Sequence, residues 1–557
     1  MPSPRYDLIL ASSAVALILA IPLGSMAKDP NKLAAATMAA TPAEQTSTQA
    51  ATAIAVPTNE VSNGTPSDPA TTTDQTTAPD PLASLDPADR AIAQKIRDLL
   101  ATKLDRFFPS KKDGAAAAAF YQNRNLAPLW LDKGVENARA ASVIARMKSA
   151  DADGLEPSDY KPPNFAGLGP DALAEAELKL THTVLAYARH LQAGRFPYTR
   201  VSRNIELPQA PPDPAVILSS IADAADARQA LDGFSPQHEP YRKLKAMLAQ
   251  LRGQSGAARS EVSRQIETVI ANMERWRWYP RDLGNAHVLV NQPDFTLKVM
   301  NGGAQVWTTR IVIGKPSMPT PLLSETMKYI TVNPTWHVPP SIVHNEYLPA
   351  LAQDPTVLDR MGLRVSYNGG EVQITQPPGD GNALGRLRFN FPNRFSVYQH
   401  DTPDKNLFGE EVRAFSHGCM RVQDPAKYAE VLLNIARPHE HWTAEKIKNM
   451  FGAAEQDIQL QPTQIWVHLT YQTAFVDNAG KLQIRRDVYN LDSRTLAAIK
   501  SERGIIEPAP DRKREQEVAA GSAPSRSARP ARTGTNFQSM FYETPSYARP
   551  TPGPIYR

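Results

Sequence analysis

One cysteine occurs in 557 residues. No internal disulfide can form, so stability must come from domains large enough to bury a core unaided. Net charge is only +4 at neutral pH, which gives no general attraction for nucleic acid. Beyond the N-terminus no segment is long and apolar enough to cross a bilayer. No C-x-x-C or H-x-x-x-H pattern surrounds the cysteine, which argues against a zinc centre.

The N-terminus is apolar from Leu8 to Gly24, after a short start carrying Arg5 and before Ser25-Met26-Ala27. Residues 1–27 read as a secretory leader. The competing reading is an uncleaved anchor, but the run is short for a span and Pro22 interrupts its end. Either way the remainder lies outside the cytoplasm.

Residues 28–84 are Ala, Thr, Pro and Asp with few large apolar side chains, a composition that cannot offset ordering entropy and predicts a disordered linker. Residues 85–258 read as a mainly helical domain. Leu173, Leu180, Val184, Tyr187 and Leu191 fall on one helix face, with Gly194 and Pro197 as stop signals. A second helix runs through Ile266, Val269, Ile270, Met273 and Trp276 to Pro280. Residues 259–492 then change to strands, including 287–290, 295–300, 304–313, 328–332, 387–391, 395–399 and 464–469, with a hairpin turn at Asn301-Gly302-Gly303. Residues 341–386 read as an insertion, helical near 345–360 and Gly/Pro-rich over 368–385, placed to cap the β domain. Residues 493–557 form a basic Pro/Arg/Ser-rich tail, expected to be largely disordered. The fold class is multidomain α+β, a helical domain followed by a mainly β domain with a capping insertion.

The cysteine, Cys419, lies in Ser416-His417-Gly418-Cys419, with His400 nineteen residues upstream. A thiolate is the reactive form, and it needs a base or cation nearby. Residues 395–399 read as a strand that delivers His400 at its end. Gly418 lets backbone approach a substrate closely, so the turn offers amide donors for an oxyanion. Thiol, base and amides are the set needed for acyl transfer through a thioester. Against this, a lone cysteine often only fills space.

The segment Ser416-His417-Gly418-Cys419-Met420-Arg421, preceded by His400, resembles the signature of the L,D-transpeptidase (YkuD-type) catalytic domain. Asn272 to Trp278, Gly314-Lys315 with Thr320-Pro321, and Asn333-Pro334-Thr335-Trp336 are similar to other motifs of that family. Phe120-Tyr121, Pro128-Leu129-Trp130, Asp153-Gly154-Leu155 and Gly194-Arg195 resemble the scaffold domain of its large Gram-negative members. The usual peptidoglycan-binding module between scaffold and catalytic domain has no room here.

The resemblance implies Cys419 as nucleophile, His400 as base, and Ser416, His417 and Gly418 as the oxyanion turn. Tyr398, Arg421, Trp336 and Asn333 are candidate substrate-binding residues. It implies a periplasmic enzyme acting on peptidoglycan tetrapeptide stems as donor and acceptor, forming a 3→3 cross-link with release of D-Ala, and open to acylation by carbapenems. Hydrolysis, D-amino-acid exchange and attachment of envelope proteins share the same acyl-enzyme. Cofactors and metals are not implied. Other wall-synthesis or envelope proteins are candidate partners, nucleic acid is not, and an inner-membrane tether applies if the leader is uncleaved. The remaining classes are a papain-like wall endopeptidase, which would order its nucleophile before its histidine, and a wall scaffold without activity.

Overall fold

The computed structural model describes residues 81–254, 259–369 and 371–501. The leader and the greater part of the linker and tail readings fall outside them. Among the described residues no helix is long and apolar enough to cross a membrane.

The scaffold helices begin where the sequence supplies caps. Asp86, Ser110, Asn137, Asp213 and Asp226 each accept a main-chain N–H at the start of Pro87–Thr102, Lys111–Asn123, Ala138–Lys148, Pro214–Asp223 and Ala227–Asp232, the role for which short polar side chains are favoured. They surround Pro170–Ala193, which is buried on nearly every side rather than on one face. Its Glu177 is fully buried and accepts the Trp130 main-chain N–H at 3.2 Å and the Tyr121 hydroxyl at 2.8 Å.

Scaffold and β domain share one core. Phe196, Ile205, Tyr241, Leu244 and Leu248 pack with the catalytic strands, and Ile205–Glu206 pairs in parallel with Leu322–Met327 as an edge of the main sheet. The scaffold and the β domain are therefore packed together as one body rather than as separate ones. Polar contacts reinforce the junction. Glu274 accepts the Arg195 main-chain N–H at 2.8 Å and pairs with Arg277 at 2.8 Å. Gly194 sits at φ +88°, and a Cβ there would lie 2.5 Å from the Glu274 carboxylate, so the helix stop is also a close approach.

The main sheet has twelve strands among the described residues. Its site-bearing half runs Gln456–Gln459, Tyr329–Val332, Leu387–Asn390, Gln399–His400, Met420–Val422 and Ala304–Gly314. Directly paired residues share a face of a sheet. One rung joins Ile458, Ile330, Phe389, Gln399 and Met420, all buried. The adjacent rung joins Asp457, Thr331, Arg388, His400 and Arg421 on the opposite face. Alternation along short strands thus puts Ile458, Ile330, Phe389 and Met420 in the core and the polar row on the opposite face. The hairpin at Gly302-Gly303 has φ of +59° and +80°, as a two-residue I′ turn requires.

Several expectations are corrected. Residues 395–398 are not a strand. Asn393 turns the chain by accepting the Phe395 N–H at 3.0 Å and donating to the Val397 carbonyl at 2.8 Å, with Ser396 at φ +54°; only Gln399–His400 pairs. The Gly/Pro-rich part of the insertion contains the strand Glu371–Gln376, which joins Arg364–Asn368 and Trp336–His337 in a separate small sheet. With Pro340–Ile342, Val343–Tyr347, Leu348–Gln353 and Val357–Arg360 it forms a cap with its own core of Val338, Ile342, Tyr347, Leu358 and Ile374. The tail does not begin at 493: Leu491–Ser501 is a helix, fixed by Asp492 to the buried Arg275 at 2.6 Å and by Lys500 to Glu267 at 2.8 Å. At the other end Pro81–Ser84, read as linker, is a 3-10 turn.

Candidate active site

Cys419 closes a turn between the strands Ala414–Ser416 and Met420–Val422. Gly418 adopts φ +115°, a conformation that other residues rarely reach. Its carbonyl accepts the Thr320 hydroxyl at 2.8 Å, and Lys315 N–H donates to the Ser416 carbonyl at 2.7 Å. Among the described residues no hydrogen bond occupies the main-chain N–H of Gly418 or Cys419. Met420 N–H donates to the Tyr398 carbonyl at 3.0 Å, which brings Tyr398 level with Cys419.

The Tyr398 main chain and hydroxyl lie beside the sulfur and favour its charged form, and the Trp336 side chain adjoins the same hydroxyl. Cys419 retains partial exposure, yet most of its shell is protein. That burial pushes the thiol up to about 11, against Tyr398 and the pull of Arg388 and Arg421.

His400 is buried two rungs beyond, on the same face, between Arg388 and Arg421. Its ring packs edge-on against Tyr398, centroids 5.7 Å apart. Nδ1 faces the Asp401 carbonyl at 2.5 Å. With the proton on Nδ1, Nε2 is left as the free lone pair, the tautomer a general base needs. Burial, reinforced by Arg421 and Arg388, pushes His400 down to about 3. At neutral pH the free site holds a neutral thiol beside a neutral imidazole.

Residues 285–441 match the L,D-transpeptidase catalytic domain family, and residues 115–248 match the scaffold domain family. The chain thus carries an L,D-transpeptidase catalytic domain behind a scaffold domain. A Haemophilus influenzae protein provisionally named an L,D-transpeptidase is 25% identical, covering 67% of this chain and 78% of its own length. Two solved structures also match. The avibactam carbamoyl-enzyme of an L,D-transpeptidase is 14% identical, covering 39% of this chain, with a TM-score of 0.17. A cysteine-to-serine mutant of the Enterococcus faecium L,D-transpeptidase is 13% identical, covering 38%, with a TM-score of 0.16. The chain spans 64% and 65% of their lengths, and similarity this low carries no argument here.

In this catalytic domain the structure brings together Cys419, His400, Tyr398, Gly418, Ser416 and Arg421. Arg421 is tied to Asp404 at 3.0 Å. Trp336 joins them through Tyr398 while packing on the cap core. Asn333 does not join: it is buried at φ +52°, donating to the Met450 carbonyl at 2.8 Å and accepting the Gly452 N–H at 3.1 Å. Its amide braces the 450–452 loop, because both of its polar ends are already engaged.

His417 turns away from the sulfur toward the cap. Its Nε2 lies 2.8 Å from Glu346 and 3.3 Å from Lys315. Burial alone would raise Glu346, but the His417 hydrogen bond and the nearby charges of His417 and Lys315 hold it below the ordinary carboxylate range. The cap is thus clasped to the turn that carries Cys419. Glu346 sits in Val343–Tyr347, a single π-helical turn, a distortion often found at functional sites.

Sequence reasoning missed Glu346, Lys315, Asp401 and Arg388. For Arg388 a signal existed, since Leu387-Arg388-Phe389-Asn390 alternates apolar and polar. For Asp401 the pattern was silent: its carboxylate accepts the Arg386 and Thr402 N–H groups at 2.9 and 2.7 Å, in a space that a Cβ on Gly385 would fill. A cavity of about 610 Å³ opens in the scaffold beside Lys148, Tyr160 and Lys161, and it shares no residue with this site.

Proposed function

We propose that the protein is an exported, periplasmic transpeptidase that cross-links peptidoglycan stems through a Cys419 thioester. His400 Nε2 takes the thiol proton as sulfur attacks the carbonyl of the third stem residue. The Gly418 and Cys419 amides receive the developing oxyanion. The tetrahedral adduct collapses, the C–N bond breaks, and D-Ala leaves with the proton held by His400. An amine of a second stem then attacks the thioester, His400 accepts its proton, and the sulfur leaves as thiol once reprotonated, giving a 3→3 cross-link. The observation that carries this reading is the register of Gln399 with Met420 and of His400 with Arg421, which sets Tyr398 and Cys419 each two residues earlier on the same face, beside two main-chain amides that no hydrogen bond occupies among the described residues. Water, a free D-amino acid or a protein lysine in place of the second stem gives carboxypeptidase, exchange or anchoring activity. The cap clasped over the turn favours the amine by excluding water.

The test is mass spectrometry of the protein with disaccharide-tetrapeptide, beside Cys419→Ala and His400→Ala. Dimers lighter than two monomers by one D-Ala, absent with both variants, are expected. Tripeptide monomer alone would replace the cross-linking reading with carboxypeptidase action. Absence of product and of any acyl-enzyme, with a carbapenem also failing to add to Cys419, would overturn the catalytic reading.

A further inference from the structure

Three cations bear on His400: Arg421, Arg388 and Lys405. Two have a carboxylate. Arg421 pairs with Asp404 at 3.0 Å, and Lys405 pairs with Asp401. Arg388 has no carboxylate within ion-pair distance among the described residues. Its one polar contact is a long 3.5 Å approach to the Thr331 hydroxyl, and its Nε is buried without a partner. The guanidinium stands 5.6 Å from the centre of the Tyr398 ring. Asp457, at the end of the same rung, is engaged by Thr331 at 2.6 Å and does not reach Arg388.

A half-buried guanidinium lacking a counter-ion is costly to keep unless something else supplies the charge. Arg388 bears on the reacting sulfur and on two groups around it: it lies opposite His400, beside Tyr398, and close enough to influence Cys419. Its planar donors suit a carboxylate better than any other anion on a peptide. We propose that Arg388 binds a free carboxylate of the acyl-donor peptide and thereby selects which stems are accepted. The inference rests on the transpeptidase reading above. Two carboxylates of a tetrapeptide stem share this chemistry: the one on the departing C-terminal D-Ala, and the one on the side chain of the diamino acid being attacked.

The experiment measures binding, which requires no turnover. Tetrapeptide Kd is determined by calorimetry on the Cys419→Ala protein, with and without Arg388→Ala, for three peptides: both carboxylates free, C-terminal amide, and side-chain amide. Arg388→Ala is expected to weaken the free peptide by about ten- to hundredfold, as loss of a charge-assisted hydrogen bond implies. It should leave one of the two amides unaffected, and that amide identifies the carboxylate. Equal weakening of all three peptides, or of none, overturns the proposal. If Arg388→Ala does not fold, Arg388→Gln takes its place, and the Cys419→Ala protein alone still decides: if neither amidation weakens binding, the proposal is overturned. A protein that binds through Arg388 but never forms acyl-enzyme would sink the transpeptidase reading and leave this one standing.

Discussion

At the scale of single residues the site is a balance between burial and hydrogen bonding. Burial holds Cys419 as thiol up to about pH 11 and His400 as neutral imidazole down to about pH 3. An enzyme with a preformed thiolate–imidazolium pair would show alkylation at a plateau between two titrations. Here the thiolate fraction rises only as pH approaches the raised thiol value. Iodoacetamide modification of Cys419 in the free protein should therefore be slow at pH 7 and climb steadily through pH 9 and 10; a plateau from pH 6 to 8 would contradict this ordering. Backbone fit is equally strict. A Cβ on Gly314 would fall 2.2 Å from the Met318 carbonyl and 3.0 Å from Gly418. Gly314→Ala should destabilise the fold by roughly 1–3 kcal/mol, the usual range for overpacking, and displace the nucleophile turn. Denaturant unfolding together with the Cys419 alkylation rate checks both effects.

At the scale of elements, strand pairing and the cap divide the work. The strands Leu387–Asn390, Gln399–His400 and Met420–Val422 are too short to be stable alone; the rungs they share with longer neighbours fix which side chains face the cleft. The cap is a separate small core held to the nucleophile turn by Glu346, His417 and Lys315. Replacing Glu346 by Gln removes a charge-assisted bond of roughly 1–3 kcal/mol. Hydrogen exchange over residues 343–353 should accelerate in Glu346→Gln, and the ratio of hydrolysed to cross-linked product should rise. Unchanged exchange would mean that the clasp does not hold the cap. The sign with pH follows from the depressed Glu346 value. Its contribution is present above the ordinary carboxylate range and is lost as pH falls through the folded value, so the Glu346 side of the clasp is in place at neutral pH and is lost in acid.

At the scale of the whole molecule, the C-terminal helix and the scaffold are parts of one packed body with the β domain. Arg275 is fully buried and donates to Asp492, to Asn272 and to the Tyr471 carbonyl. Ending the chain at residue 490, or replacing Asp492 by Ala, leaves that guanidinium without its carboxylate, a defect that costs about 3–5 kcal/mol in buried pairs. Thermal unfolding of Asp492→Ala should show a large fall in Tm as a single transition. An unchanged Tm would mean that water or another acceptor replaces the carboxylate. A single transition also follows from the shared core, where Ile205 and Tyr241 of the scaffold pack with catalytic strands.

What the sequence alone determined was local and periodic. The helix through Leu180 and Tyr187, the turn at Gly302-Gly303, the change from helix to strand near Pro280 and the His400–Cys419 motif were all readable, because caps, turn glycines and alternation act within a few residues. Tertiary structure decided the rest. Ser396 leaves the strand path because Asn393 captures the chain there. Asn333 leaves the candidate site because Met450 and Gly452 engage it. Arg388 and Glu346 enter because pairing and cap docking bring together residues separated in sequence by 12 and 71 positions from His400 and His417. Such contacts depend on register between distant strands and on which charges find counter-ions, and neither is written in local pattern.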